Sequence, residues 1–206
     1  MVTPADGPHD RFDRSYFDRW YRSPRTAVMS PAALRRKAAL ALAVGEYYLG
    51  RPVRTVLDVG CGEGDWRAAL RSTRPALRYT GVDPSEYVVA RYGRARGIRL
   101  GSFGTLEDVG LANAYDLVVC SNALLYADHD ELVAALGSLA ARTRAVAFLE
   151  LFTAEDDLDG DLPDGLPDAA YYRKVLRRTG FRPVGSHCYL GPDSHALATT
   201  MESAAR

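Results

Sequence analysis

Residues 56–66 read VLDVGCGEGDW, and this stretch decides the fold. It begins as an apolar run that is typical of a buried strand and carries one acid, Asp58. Glycines follow at positions 60, 62 and 64, just before a predicted helix that starts at about Trp66. Glycines let the backbone turn sharply and let a ligand come close, because no Cβ stands in the way. Free N–H groups at the start of the helix favour a negatively charged ligand group.

A second acid, Asp83, stands at the end of the next predicted strand, 25 residues after Asp58. An acid at the tip of the second strand of such a unit is placed to bind ribose hydroxyls. The two carboxylates are therefore expected to bracket a nucleoside that lies across the strand ends. Asp58 would repel a pyrophosphate, whereas a ligand that carries a cation would tolerate it.

Strands and helices alternate along most of the chain. Ser30, Ser85 and Asp128 are predicted helix N-caps, and Gly50 and Gly97 predicted helix ends. The pattern predicts parallel strands at Val53–Val59, Arg78–Val82, Ile98–Phe103, Tyr115–Cys120 and Ala145–Phe152, then a closing antiparallel hairpin made of Phe181–Leu190 and His195–Thr200 around Gly191–Pro192–Asp193. This order predicts an α/β, Rossmann-like, doubly wound and mostly parallel seven-stranded sheet with a C-terminal antiparallel hairpin.

Composition excludes several classes of protein. The 206 residues are 47% apolar and carry 26 basic and 26 acidic side chains. The net charge is therefore zero and gives no general reason to expect nucleic-acid binding. Cys61, Cys120 and Cys188 form no CxxC pair, which suits a reducing compartment. We find no metal-ligand spacing, no signal peptide and no run of 18 apolar residues. These features predict a cytoplasmic protein without a metal.

Three segments, VLDVGCGEG, GVDPS and YDLVVCSNALLY, together resemble the class I S-adenosylmethionine-dependent methyltransferases. The resemblance covers roughly residues 53–200 and includes the final hairpin. The first segment fits the D/E-x-G-x-G-x-G pattern of that family throughout. The G-x-G-x-x-G pattern of nicotinamide-dependent enzymes fails, because Asp65 stands where its third glycine belongs.

The resemblance implies S-adenosylmethionine as cofactor and places it on this sequence. The backbone of Gly60, Cys61 and Gly62 would lie along its methionine part, with Asp58 near the ammonium group, directly or through water. Asp83 would accept hydrogen bonds from both ribose hydroxyls.

The same resemblance assigns residues around the adenine and the sulfonium. Pro84 and Ser85 would flank the adenine, Thr105 and Leu106 would contact it from the loop after the third strand, and Cys120 and Ser121 would pass beneath the sulfonium. The family often carries an aspartate in that loop, but this chain reads GTLE over residues 104–107. Thr105 or Glu107 is then expected to substitute in contacting the adenine amine.

Two segments could cover such a site. Residues 1–52 are interpreted as an N-terminal helical lid on a methyltransferase domain at 53–206. Aromatic residues concentrated between positions 12 and 21 would wrap a cation, or would simply dock a helix on the domain. Tyr21 and Arg25 are candidate cofactor contacts, with Arg25 clamping the cofactor carboxylate. The acidic segment 155–168 would steer a basic amine, or would be a solvated connector.

Candidate catalytic residues follow the fourth and fifth strands. His129 at a helix start could act as a neutral base or be an exposed residue without a role. Tyr126 could line the acceptor pocket or pack on the sheet edge, and Glu150 could serve the acceptor or be an exposed residue at the tip of a strand. The predicted function is methyl transfer to a small-molecule acceptor, with an amine favoured over a hydroxyl or carboxylate. The alternative is a protein that binds the cofactor without transferring methyl, and monomer and homodimer remain open.

Overall fold

The computed structural model describes residues 11–23, 29–156 and 165–199. Within these ranges the strands are β1 (Thr55–Val59), β2 (Arg78–Asp83), β3 (Ile98–Leu100), β4 (Tyr115–Cys120), β5 (Thr143–Leu149), β6 (Arg182–Gly185) and β7 (Cys188–Leu190). The α-helices are α1 (Arg14–Phe17), α2 (Pro31–Leu49), α3 (Asp65–Thr73), α4 (Glu86–Arg96), α5 (His129–Arg142) and α6 (Ala169–Arg178). A π-helical turn, Asp18–Arg22, continues α1, and short 3-10 turns span Phe103–Thr105, Leu124–Tyr126 and Pro192–Leu197.

All seven strands form one sheet in the order β3-β2-β1-β4-β5-β7-β6. The first five strands pair in parallel, whereas β7 runs antiparallel to both β5 and β6. The strand order reverses at β1, which lies between β2 and β4. Doubly wound sheets bind their ligands beyond the carboxyl ends of the strands at such a reversal. The predicted Rossmann-like fold, mostly parallel with an antiparallel C-terminal pair, is confirmed.

Helices cover both faces of the sheet. Leu57 shares a buried cluster with Leu136 of α5 and Val175 of α6. Its neighbour Val56 belongs to a different cluster, which contains Leu70 of α3 and residues of α2. Successive side chains of a strand point to opposite faces, so a strand that is covered on both sides is apolar throughout. This explains why every residue of β1 except Thr55 and Asp58 is apolar.

The predicted helix ends are confirmed by their capping bonds. The Ser30 hydroxyl accepts a hydrogen bond from the Ala33 N–H, and α2 ends at Gly50 with a left-handed φ of +62°. Ser85 caps α4 in the same way, and Gly97 ends it with a φ of +70°. Short polar side chains can replace the missing backbone acceptor at a helix start, which is why these positions were visible in the sequence.

Three of the five parallel strands are shorter than predicted, and the first of them starts at Thr55 rather than at Val53. The third strand stops at Leu100, and Phe103 opens a 3-10 turn instead of ending the strand. The fifth strand starts two residues early, at Thr143, and stops at Leu149. Glu150 therefore lies just beyond the strand, although its N–H still donates to the Cys120 carbonyl at 3.0 Å.

The prediction for the closing hairpin was wrong in its position. The two strands are β6 and β7, and they turn at Ser186 and His187, whose φ angles are +50° and +63°. A two-residue hairpin of this kind needs positive φ at both central positions, which usually calls for Asn-Gly. The Gly-Pro-Asp sequence, which was predicted to form the hairpin turn, instead leads into the 3-10 turn Pro192–Leu197.

Candidate functional site

Three glycines shape the bend that follows β1. Gly60, Gly62 and Gly64 have φ angles of +69°, +52° and +84°, a region that side-chain-bearing residues rarely adopt. The N–H groups of Gly60 and Cys61 both donate to the Val82 carbonyl, at 2.8 and 3.1 Å. These bonds fix the bend against the end of β2.

Asp83 joins the bend to the start of α4. Its Oδ2 accepts from the Gly62 N–H at 2.7 Å, and its Oδ1 accepts from the Ser85 N–H at 3.0 Å. The side chain is 5% exposed, and burial raises the pKa of Asp83 to about 6 although the two backbone bonds lower it. A carboxylate oxygen has two lone pairs, so each Asp83 oxygen can still accept one more hydrogen bond.

Asp83 lines a cavity of about 150 Å³, here called cavity A. Its walls come from the N-terminal segment, the glycine bend, the loops after β2 and β3, and the segment after β4. The lining residues are Phe12, Tyr16, Phe17, Tyr21, Val59, Gly60, Gly62, Asp83, Pro84, Gly101, Ser102, Phe103, Asn122, Ala123, Tyr126 and Glu131. Cavity A thus lies at the strand reversal, where the fold places ligands.

A larger cavity of about 570 Å³, cavity B, lies on the other side of the bend. It is bounded by the N-terminal segment, the starts of α2 and α3, and the end of β4. The lining residues are Trp20, Tyr21, Met29, Ser30, Pro31, Leu34, Arg35, Gly60, Cys61, Asp65, Trp66, Ala68, Ala69, Ser72, Ser121 and Asn122. Tyr21, Gly60 and Asn122 line both cavities, so the two spaces adjoin at the bend.

The N-terminal aromatic residues lie over the bend. A Cβ added at Gly62 would stand 2.7 Å from the Tyr21 hydroxyl oxygen, so Tyr21 fills the space that the glycine leaves. The Tyr16 hydroxyl lies 3.2 Å from the hydroxyl of Tyr126. Arg22 binds Glu63 within the bend, which anchors the segment at a further point. The structure therefore brings residues 12–22 onto the predicted site.

Ser85 and Pro84 occupy different environments. Pro84 lines cavity A, whereas Ser85 is fully buried and caps α4. The Ser85 hydroxyl donates to the Phe12 carbonyl at 2.5 Å, and this bond ties the N-terminal segment to the helix that follows Asp83. Ser85 is thus placed to hold the wall of the cavity rather than to line it.

Asp58 lies beneath the bend and lines neither cavity. It is 1% exposed, and the Tyr79 hydroxyl donates to its Oδ2 at 2.6 Å. Burial raises the pKa of Asp58 to about 7, even though the Tyr79 bond lowers it and nearby Asp83 adds to the rise. No sequence pattern indicates this contact of Tyr79, because the two residues lie on neighbouring strands and are 21 positions apart.

The two cysteines near the bend are buried thiols. Cys61 lines cavity B, whereas Cys120 is fully buried in the core. Burial raises the pKa of both thiols well above the usual value, so both are neutral near pH 7. Ser121, the next residue, does line cavity B.

The residues predicted to contact the ligand after β3 lie elsewhere. The Thr105 hydroxyl accepts from the Ser102 N–H at 2.8 Å, and Leu106 is a 2% exposed core residue. Glu107 pairs with Arg142 on the surface at 2.6 Å. Because β3 ends early, the preceding residues Gly101–Phe103 form the cavity wall instead.

The three catalytic candidates are dispersed. Tyr126 lines cavity A. Glu150 is 5% exposed, binds Lys37, and accepts a hydrogen bond from the hydroxyl of Ser121. His129 is exposed, lines neither cavity, and lies 3.1 Å from the Tyr171 hydroxyl through its Nε2.

Two predicted features lie wholly or mostly outside the residues that the structure describes. Arg25 lies outside the described residues, as does most of the acidic segment 155–168. Among the described residues, no group of three or more His, Cys, Asp or Glu side chains could hold a metal ion. No helix in the described ranges is long and apolar enough to cross a membrane.

Comparisons with known proteins agree with this geometry. Residues 57–149, a little under half of the chain, match a methyltransferase domain family model. A search of curated protein sequences finds no significant match.

Three solved structures illustrate the likeness of the fold. A magnesium protoporphyrin IX methyltransferase from Synechocystis PCC 6803, solved with S-adenosylmethionine bound, is 20% identical, with 92% of this chain and 96% of that chain covered and a TM-score of 0.60. A sugar N-methyltransferase from a Streptoalloteichus species is 19% identical, with 93% and 96% covered and a TM-score of 0.62. A methyltransferase from Archaeoglobus fulgidus that depends on S-adenosylmethionine is 20% identical, with 84% and 76% covered and a TM-score of 0.62.

At these identities the structural likeness establishes the fold, and the family model adds the methyltransferase domain within it. Residues 57–149 thus match the methyltransferase domain, and the fold around them is the one that the S-adenosylmethionine-dependent methyltransferases named above adopt.

Proposed function

We propose that this enzyme methylates a small molecule, and that an amine is the preferred acceptor. The observation that carries the proposal is cavity B, which adjoins the glycine bend and has the size typical of small-molecule sites, roughly 300–1,000 Å³. The N-terminal segment closes over this space, which disfavours a large polymer as acceptor. Two of the structural neighbours are described as acting on a porphyrin and on a sugar amine.

The chain's residues fit the cofactor that the class uses. In this proposal cavity A takes the adenosyl part, with the ribose hydroxyls at Asp83 and the adenine against Pro84 and the wall 101–103. The methionine part follows Gly60 and Cys61 into cavity B. When bound, S-adenosylmethionine supplies an electrophilic methyl group on a sulfonium.

Asp58 is the residue whose proposed role is most indirect. It lies under the bend rather than in it, so a contact with the cofactor ammonium requires a bridging water. Arg35 lies within the described residues, is exposed and lines cavity B. It is therefore proposed as an alternative to Arg25 for binding the cofactor carboxylate.

Aromatic side chains in cavity B support an amine acceptor. Trp20, Tyr21 and Trp66 present rings, and Asp65 contributes an acid. Rings attract cations through their quadrupoles, and the acid adds to that attraction. Both would hold an amine near the bend in a shielded space, which aligns and desolvates it for an in-line displacement.

Glu150 and Ser121 form the proposed route for the acceptor proton. Ser121 lines cavity B and donates to Glu150, which also binds Lys37. The acceptor proton would pass to Ser121 Oγ while the Ser121 proton passes to the Glu150 carboxylate. Tyr126 is proposed as part of the wall of cavity A, and His129 remains a candidate base that a His129→Ala variant would test.

The test is an acceptor screen with detection of S-adenosylhomocysteine, run beside an Asp83→Ala control. Turnover with a primary or secondary amine, lost in the Asp83→Ala variant, supports the proposal. Saturable cofactor binding without turnover on any acceptor would indicate a binding protein that does not transfer methyl. Unchanged cofactor affinity in Asp83→Ala would contradict the placement of the ribose.

A further inference from the structure

Cavity A contains a second carboxylate that the proposed cofactor site does not yet use. Its lining includes two acids, Asp83 at the end of β2 and Glu131 in the first turn of α5. Asp83 already accepts from two backbone N–H groups and faces the proposed ribose position. Glu131 is partly buried and also lines the cavity.

The position of Glu131 is fixed by its helix and by a glycine. Its N–H donates to Oδ1 of the N-cap residue Asp128 at 2.9 Å, which sets the first turn of α5. A Cβ added at Gly104 would stand 3.2 Å from Oε1 of Glu131, so this glycine leaves room for the carboxylate. The carboxylate therefore lies beside the loop that follows β3.

Neither acid of the loop that follows β3, Glu107 or Asp108, lines cavity A. Glu107 pairs with Arg142 and also accepts from the Ser138 hydroxyl at 2.7 Å. Thr105 is committed to the Ser102 N–H. Ser102 and Phe103 line the cavity next to Glu131 but carry no charge.

We propose that the Glu131 carboxylate accepts a hydrogen bond from the exocyclic amine of the cofactor adenine and thereby selects an aminopurine. The proposal rests on the adenosyl placement given under Proposed function. The amine has two N–H donors, and a carboxylate is a pure acceptor, so the pair is a charge-assisted hydrogen bond. A site with such an acceptor disfavours a purine that lacks the amine.

The test compares two ligands and uses binding as its readout. Titration calorimetry measures the affinities of S-adenosylhomocysteine and of its 6-deamino analogue, in which hydrogen replaces the amine. The wild-type protein should prefer the amine-bearing ligand by about tenfold to a hundredfold, as a hydrogen bond to a charged group predicts. Glu131→Ala should bring the preference to within about twofold, and Glu131→Gln should lie between, since its amide oxygen still accepts.

A matched control is Asp130→Asn, which removes an exposed acid from the same turn and should keep the wild-type preference. Thermal unfolding of each variant checks that α5 is retained. If Glu131→Ala keeps the full preference while the wild-type protein binds S-adenosylhomocysteine, this inference is wrong and the proposed function stands. If the wild-type protein binds neither ligand, the adenosyl placement itself fails.

Discussion

The hydroxyl of Tyr79 donates to Oδ2 of Asp58 at 2.6 Å, beneath the glycine bend that Asp58 introduces. The two residues lie on adjacent parallel strands, β2 and β1, and Asp58 is almost fully buried. Asp58, an acid expected at the ligand, is therefore part of the support under the bend. This arrangement gives Asp58 a strong effect on folding as well as any effect on binding.

Asp58→Asn should change how stability depends on pH. Because the pKa of Asp58 is raised to about 7 in the folded protein, its protonated form is favoured there. The wild-type protein therefore loses stability as pH rises toward 7 and loses no more from this group above it. The unfolding free energy of the Asn variant, relative to that of the wild-type protein, should rise by on the order of 2 kcal/mol between pH 5 and pH 7. Urea unfolding without cofactor measures the difference, and a difference that does not change with pH would contradict it.

Asp116→Asn serves as a control, because the pKa of Asp116 is shifted in the opposite direction, downward. Burial raises the pKa of Asp116, but the bonds from Arg51, the Arg54 N–H and Arg144 hold it well below its usual range. Its contribution is present at neutral pH and is lost only as pH falls through the acid range. The variant should be less stable by about 1–3 kcal/mol, equally at pH 5 and at pH 8.

Gly62→Ala should destabilise the bend in two separable ways. The φ of +52° strains any side chain, and the new Cβ would meet the Tyr21 hydroxyl. The combined loss should be about 1–3 kcal/mol in the free energy of unfolding. In a Tyr21→Ala background only the strain remains, so the same substitution should cost less. Equal costs in both backgrounds, measured by chemical unfolding, would show that Tyr21 does not lie over the bend.

Ser186→Asn should stabilise the protein. Ser186 is exposed and has a φ of +50° at the turn between β6 and β7, a conformation that Asn tolerates better than Ser. The expected gain is about 0.5–1 kcal/mol in the unfolding free energy. Ser186→Val, which places a β-branched side chain at the same φ, should instead lose stability. A loss in both variants would contradict the positive φ.

The hairpin of β6 and β7 shows where local sequence patterns are insufficient to predict the position of a turn. The glycine bend and the helix caps depend on residues within a few positions of each other, so Asp58, Gly60, Gly97 and Ser85 could be read from their spacing. Neither central position of the turn between β6 and β7, Ser186 or His187, is a glycine, and the strands on both sides of the turn are held by pairing with each other and, through β7, with β5. Local preference favoured the Gly-Pro-Asp sequence, and tertiary pairing overrode it.

The same distinction applies to the candidate site. Asp83 was predicted from the strand end and Pro84 from the family resemblance, and both line cavity A, whereas their role toward the cofactor stays a prediction. The contacts of Glu131 and Tyr79 were not predicted, because they join elements far apart in sequence. Thr105 and Leu106 were expected at the ligand from the family resemblance, but the loop here starts three residues earlier than predicted, at Gly101, and Gly101–Phe103 line the cavity instead.

Ser121→Ala tests the proposed proton route once an acceptor is known. Ser121 lines cavity B, and its hydroxyl donates to Glu150, so the alanine removes the link between the acceptor and the carboxylate. A lost proton-transfer step should lower kcat by about a hundredfold. The affinity for S-adenosylhomocysteine should stay within about twofold, because the change lies beyond the adenosyl part. Ser138→Ala, a surface substitution next to Glu107, is the matched control. Steady-state kinetics that show full kcat in Ser121→Ala would mean that the acceptor proton leaves by another path, with His129 the next residue to replace.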